Sequence, residues 1–245
     1  MRADSDISHF MLAGRTDIDI IIAVLEGIRM LEMIDIYDEN MVMIGTKERI
    51  QAHLDGDWHR AFHCWIVFRQ NNFDYIVVQR RSPDKDMFPN ALDITAAGHY
   101  AAGESIEEGV REIKEELGID LSYRDLVRLG VKIDVAKVGR ITNREFNDVF
   151  MANFAMDISE YDFQVKELSG LVTFRIDEAL GLYRGTKKSV LAREVRTESG
   201  PKGFVKKLLD VNVTVDDFVP RVDAYMHKIL LLGKRYLNGE KDLVI

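Results

Sequence analysis

The chain has 245 residues, with 33 Lys+Arg against 41 Asp+Glu, a formal net charge of −8. That length can bury a substantial core, and the composition is that of a globular protein rather than a disordered or collagenous one. The single cysteine, Cys64, excludes an internal disulfide framework and any CxxC site, and the acidic balance argues against nucleic-acid or anionic-membrane partners.

In chain order, residues 1–33 read as an N-terminal extension in which Ile18, Ile21, Ile22 and Leu25 recur at helical spacing. The apolar run at 20–25 is far shorter than the ~20 residues a bilayer needs, and Asp17, Asp19 and Glu26 flank it. No segment is expected to span a membrane, and a soluble, cytoplasmic protein is expected. Residues 34–56 form a lead-in segment that begins strand-like at 34–38.

A main domain over 57–190 is strand-rich. Residues 61–68 and 75–79 are dense in aromatic and β-branched side chains and are separated by the turn-forming pair Asn71 and Asn72. In the first run Phe62, Cys64, Ile66 and Phe68 share one face, with His63, Trp65 and Val67 on the other, so both faces are expected to be covered. Shorter strands are expected at 92–96, 126–135, 147–154 and 171–174. One helix interrupts them: Ser105 and Glu108 have capping-box spacing, Val110, Ile113 and Leu117 form an apolar stripe, and Gly118 sits at the C-cap. A short helix is expected at 177–183. Residues 191–245 read as a C-terminal helical region, with Asp216 or Asp217 capping a helix to about Leu237. Its apolar face would comprise Val222, Tyr225, Met226, Ile229, Leu232 and Tyr236, and could serve a homodimer contact. Residues 184–207 hold eight Lys/Arg and two Glu, a local +6 that reads as a solvated face or charged lid.

The chemistry is concentrated in Gly98-His99-Tyr100-Ala101-Ala102-Gly103-Glu104 and in Arg111-Glu112-Ile113-Lys114-Glu115-Glu116-Leu117-Gly118-Ile119. On the expected helix Glu112, Glu115 and Glu116 project from neighbouring positions, where like charges repel. A divalent cation converts that repulsion into binding energy, and hard oxygen ligands favour Mg2+, with Mn2+ as the alternative. A solvated acidic face is the competing reading of three glutamates alone. Taken with the glycine-rich loop, the Arg-Glu pair and the C-cap glycine, the segment resembles the box of the Nudix superfamily, G-x5-E-x7-R-E-U-x-E-E-x-G-U, where U is aliphatic. One departure is present: six residues, not seven, separate Glu104 from Arg111. The shortening leaves Glu112, Glu115 and Glu116 in mutual register and puts the placement of Glu104 in question.

The resemblance implies an α/β fold, a Nudix-type α/β/α sandwich with a mixed β-sheet plus the C-terminal helical extension. It also implies hydrolysis of a nucleoside or other organic diphosphate by water attack at phosphorus. Glu112, Glu115 and Glu116 would hold the metal, with Glu112, Glu115 and Glu145 as catalytic candidates. A longer stretch is similar to the branch containing isopentenyl-diphosphate isomerase, through Asp57–Phe62, Gln79–Lys85, Phe88–Asn90, Asp93–His99 and Glu145–Phe150. In that branch histidines and a glutamate hold a divalent metal; His59, His99 and Glu145 match by position, and His53 is offset by one residue. The isomerases also need a cysteine two residues before the histidine of the Gly-His pair, and this chain has Ala97 there. Hydrolysis is therefore the first expectation, an isomerase-like enzyme or a noncatalytic nucleotide-binding regulator the alternatives. Arg80, Arg81, Lys85 and His99 are the substrate-binding candidates, weighed against a solvated turn and a backbone-satisfying histidine. Glu167 is a weaker candidate for the base.

Overall fold

The computed structural model describes residues 32–85, 87–200 and 203–245. The helix expected from Ile18 to Leu25 lies outside them. In chain order the elements are β1 (Met33–Tyr37), β2 (Met43–Glu48), α1 (Arg49–Asp55), β3 (Trp58–Gln70), β4 (Phe73–Arg81), β5 (Leu92–Asp93) and β6 (Ala96–His99). They continue as α2 (Arg111–Leu117), β7 (Leu126–Val138), β8 (Ile141–Asn153), β9 (Leu168–Arg175), α3 (Ile176–Tyr183), β10 (Val190–Gly200), β11 (Gly203–Val213) and α4 (Tyr225–Leu237).

One mixed sheet organises the unit Met33–Ile245. Its main path runs β11-β10-β9-β4-β3-β1-β2; β6 and β8 join β3, β5 joins β4, and β7 joins β8. Among the described strands β3 and β8 pair in parallel and the other strand pairs are antiparallel. The long central strand β3 is apolar on both faces, as its sequence requires. Phe62, Cys64, Ile66 and Phe68 pack with Ile113 and Leu117 of α2. Trp65 and Val67 pack with Phe174, Ile229 and Leu230 on the side of α3 and α4. Helices on both faces of a mixed sheet make this an α/β/α sandwich.

Asn71 and Asn72 both take positive φ in the β3–β4 turn, which asparagine tolerates better than most residues. The box helix starts with a 3-10 turn (Glu108–Val110), and the Ser105 N–H donates to the Glu108 carboxylate as capping-box spacing predicts. It ends at Gly118, in the left-handed region with φ +70°.

The C-terminal third differs from the helical reading. Residues 190–213 form a hairpin of two long strands that extend the main sheet, because β10 pairs with β9 and β11 with β10. Its signal is a period-two alternation: Val190, Ala192 and Glu194 are buried, whereas Leu191 and Arg193 are exposed. Dense charge masks that pattern in composition. The last helix begins at Tyr225, not Asp216, because Asp217 instead closes a capping box with Thr214 on an isolated 3-10 turn. Pro220 then disfavours helical backbone at the residue before it. Val222 is consequently solvent-exposed, and Tyr225, Met226, Ile229, Leu230 and Leu232 are buried inside the unit. That face is used by the chain's own core and is not available to a second copy. The lead-in segment also holds more than a strand: it folds as the β1–β2 hairpin and α1.

Replacing Gly118 should lower stability. A Cβ there would lie 2.5 Å from the Asp162 carbonyl oxygen, in a backbone conformation L side chains avoid. Gly118→Ala is expected to cost about 1–3 kcal/mol in urea unfolding, with an unchanged m-value.

Candidate metal and diphosphate site

The site is built along one short strand. In its antiparallel register with β3, β6 places His99 opposite Ala61, Gly98 opposite Phe62 and Ala97 opposite His63. Backbone groups on its other edge must find partners elsewhere. The box helix supplies them: the Ala97 N–H donates to the Glu116 carboxylate (3.0 Å), and the His99 carbonyl accepts from the Arg111 guanidinium (3.0 Å). Between them Gly98 leaves room for the Glu112 carboxylate; a Cβ at that position would overlap it. Glycine is therefore required at 98 by side-chain approach, not by backbone conformation.

Arg111 organises the carboxylates around it. It makes two bonds to Glu104 (2.6 and 2.9 Å) and reaches Glu112 at 2.7 Å and Glu115 at 3.0 Å. Glu104 thus serves as the clamp on Arg111, and the shortened loop closes through an Ala101 N–H donated to the same carboxylate. Glu112 and Glu116 are buried, whereas the Glu115 side chain is 56% exposed. Burial pushes the Glu112 carboxyl up to about 7 despite Arg111 beside it. It pushes Glu116 up to about 8, with the Ala97 N–H opposing the shift and the Glu112 charge adding to it. Two buried carboxyls that resist ionisation next to one another fit a divalent cation, and their oxygen donors suit Mg2+ or Mn2+.

A second donor set forms on the other side of β6. His53 on α1, His59 on β3, His99 on β6 and Glu145 on β8 each offer a ligand atom, all within 4.8 Å of one another. The parallel β3–β8 register puts His59 directly beside Glu145. Glu145 Oε1 lies 3.4 Å from His99 Nε2 and 3.7 Å from His59 Nε2. His53 Nδ1 faces the Arg49 carbonyl at 2.6 Å and His59 Nδ1 the Asp57 carbonyl at 3.0 Å. A neutral ring that donates there presents a lone pair at Nε2, which can bind a cation, whereas a protonated ring presents an N–H, which favours an ionised Glu145. His59 Nε2 and His99 Nε2 are buried without a hydrogen-bond partner. Burial works against ionisation of Glu145, but the His59 and His99 imidazoles outweigh it and hold the carboxyl well below its usual range. Orphaned imidazole nitrogens facing an ionised carboxylate also fit a divalent cation, of a kind that accepts nitrogen ligands.

The structure therefore brings together Glu112 with Glu116, and His99 with Glu145, while Glu115 stays at the surface on Arg111. It also brings in His53, whose one-residue offset in sequence is absorbed by α1. The three cations expected to bind substrate are distributed differently. Arg80 is engaged by buried Glu194 (2.6 and 3.0 Å) and the Asn90 carbonyl, which ties β4 to β10. Arg81 binds the Met87 carbonyl and Asp93. Lys85 pairs with Glu167, and both charges act on Glu116. Arg221 is a cation that sequence reasoning missed: it bridges Asp93 (2.7 Å) and Asp134 (3.3 Å), and Asp134 lies opposite Glu145 in the β7–β8 register. Its partners lie 128 and 87 residues before it in the chain, and no local pattern announces them.

Comparison with known proteins identifies the family. A model of the NUDIX domain family matches residues 57–192. An uncharacterized Nudix hydrolase of Clostridium acetobutylicum is 38% identical over 201 residues, covering 82% of this chain and 95% of the relative. An isopentenyl-diphosphate Delta-isomerase of Photorhabdus laumondii is 35% identical over 91 residues, 36% of this chain and 50% of that enzyme. Among solved structures, one of a Deinococcus radiodurans protein is similar with 25% identity and a TM-score of 0.48, covering 64% of this chain and 91% of that one. The box residues around β6 and the match over more than half the chain lead to one conclusion: this protein belongs to the Nudix family.

Proposed function

We propose that the chain is a divalent-cation-dependent Nudix hydrolase that cleaves the phosphoanhydride of a small organic diphosphate by attack of water at phosphorus. The observation that carries this reading is the buried pair Glu112 and Glu116, held against Gly98 and the Ala97 N–H. Mg2+, with Mn2+ as the alternative, would be held there by Glu112 and Glu116, with Glu115 assisting from the helix surface. When bound, such a cation neutralises charge on nonbridging phosphate oxygens and makes water more acidic. The chain's own groups do the rest. Arg111, fixed by Glu104, keeps the box carboxylates oriented. Glu145 is ionised and flanked by imidazoles, so it accepts a proton or a cation and does not donate a proton. Lys85, whose pair with Glu167 is partly exposed, exchanges that partner for a phosphate oxygen more readily than the engaged Arg80 does.

The assembled His53, His59, His99 and Glu145 cluster favours a second reading, an isomerase-like enzyme on prenyl diphosphates. Two observations oppose it. Ala97 occupies the position of the isomerase thiol, and Cys64 is buried in the core on the α2 side, where burial pushes its thiol up. A noncatalytic nucleotide-binding regulator is opposed by the box carboxylates, which binding alone does not require.

The reading is tested by a Mg2+-supported screen of nucleoside diphosphate derivatives, dinucleoside polyphosphates and prenyl diphosphates, with phosphate and phosphorylated products quantified. Glu116→Gln is expected to lower turnover by about 100-fold or more, the scale of losing a group that stabilises the transition state. Deuterium uptake from water into isopentenyl diphosphate without phosphate release would select the isomerase instead.

A pH dependence follows from the same carboxyls. With folded values near 7 and 8 above the usual 4.5, native Glu112 and Glu116 retain protons that the unfolded chain has lost. The metal-free protein therefore loses stability as pH rises from about 5 to about 8, then levels off. Urea unfolding in EDTA should show that fall, and Glu116→Gln should flatten it.

A further inference from the structure

Beyond the site, the outer edge of the β10–β11 hairpin is the surface most suited to a partner. We propose that β11 pairs antiparallel with β11 of a second copy of this chain, making a two-fold dimer through one continuous sheet. Among the described residues β11 ends the main path of the sheet and pairs on one side only, with β10, over eleven residues and without a register break. Edges of that length are normally shortened, bulged or covered. The other end of the path, β2, has six residues, and its partner strand carries an irregularity at Ile36/Tyr37. The edge strand β7 carries one at Arg128/Gly130, and the Ile245 N–H caps the Leu129 carbonyl. No bulge or capping segment among the described residues blunts β11; its protection is the charge of Lys206 and Lys207, between which and Asp210 lie apolar residues, with Phe204, Val205 and Leu208 62%, 51% and 41% exposed.

The strand is complementary to itself. A two-fold axis perpendicular to the sheet preserves its faces, so residues opposed across the axis must be an even number apart in sequence. Placing Leu208 opposite its own copy sets Lys206 opposite Asp210 on both sides of the axis, with Val205 opposite Val211 and Phe204 opposite Asn212. The neighbouring allowed registers lose this: centring on Lys207 opposes two like charges, and centring on Leu209 opposes Lys206 to Asn212. Asp210 is exposed, and Lys206 lies along the same face, its ammonium on the Tyr161 carbonyl and over the Phe163 ring. The family match ends at residue 192, so nearly all of this hairpin is a feature of the chain outside the matched Nudix domain.

The test is sedimentation velocity with the full chain across micromolar concentrations. The wild type is expected at twice the 28.1 kDa chain mass. Asp210→Lys, which opposes lysines at two places, and Leu208→Glu, which opposes two carboxylates on the axis, should each weaken dimerisation by about tenfold or more. Far-UV circular dichroism confirms that each variant is folded. Combining Lys206→Asp with Asp210→Lys reverses both pairs and should restore the dimer. A wild type that is monomeric throughout, whether or not another strand-bearing protein binds the edge, would overturn the proposal. So would a dimer indifferent to Asp210→Lys and Leu208→Glu, or one that the double reversal does not restore.

Discussion

The site depends on the unpaired edge of β6. That strand gives one edge to β3, and its other N–H and C=O groups need partners of their own. Glu116 answers the Ala97 N–H and Arg111 answers the His99 carbonyl. Once those two bonds are made, the helical spacing between residues 112 and 116 brings Glu112 onto the strand as well, where only a glycine leaves it room. The glycine, the arginine and the glutamates of the box are thus parts of one structural arrangement: a helix docked on a strand edge through charged side chains. The energetic consequence is two buried carboxyls whose ionisation is opposed by burial.

β6 also separates two chemically different donor sets. Consecutive residues of a strand face opposite sides, so Gly98 opens toward Glu112 while His99 turns toward Glu145. One side offers oxygen donors alone, and the other offers imidazole nitrogens with a carboxylate. Ala97, two residues before His99, faces the same side as that histidine and brings no titratable group to it. Arg221, from the segment that follows the hairpin, joins Asp93 of β5 to Asp134 of β7, the residue opposite Glu145.

Much of this was legible in sequence because it is local. The box helix was bounded by a capping pair and a left-handed glycine, both set by residues within a few positions of one another. The central strands announced themselves through β-branched and aromatic density. The β10–β11 hairpin did not, because its alternation is carried by charged residues such as Arg193, Glu194 and Arg196, which composition reads as a solvated face. Arg80 resembled a substrate ligand for a similar reason: its partner Glu194 is 114 residues away. His53 lay one residue out of register, and only the fold of α1 shows that its ring reaches the cluster. Asp217 had the chemistry of a helix cap and used it on a different turn.

The central claim is that the β6 edge positions Glu112 and Glu116 for a cation, and Gly98→Ala tests it most directly. The backbone at 98 is ordinary extended strand, so the added methyl acts through the Glu112 carboxylate and not through conformational strain. Calorimetric titration with Mg2+ should show binding by the wild type weakened by about tenfold or more in the folded variant. Equal affinity in the two proteins would contradict the account.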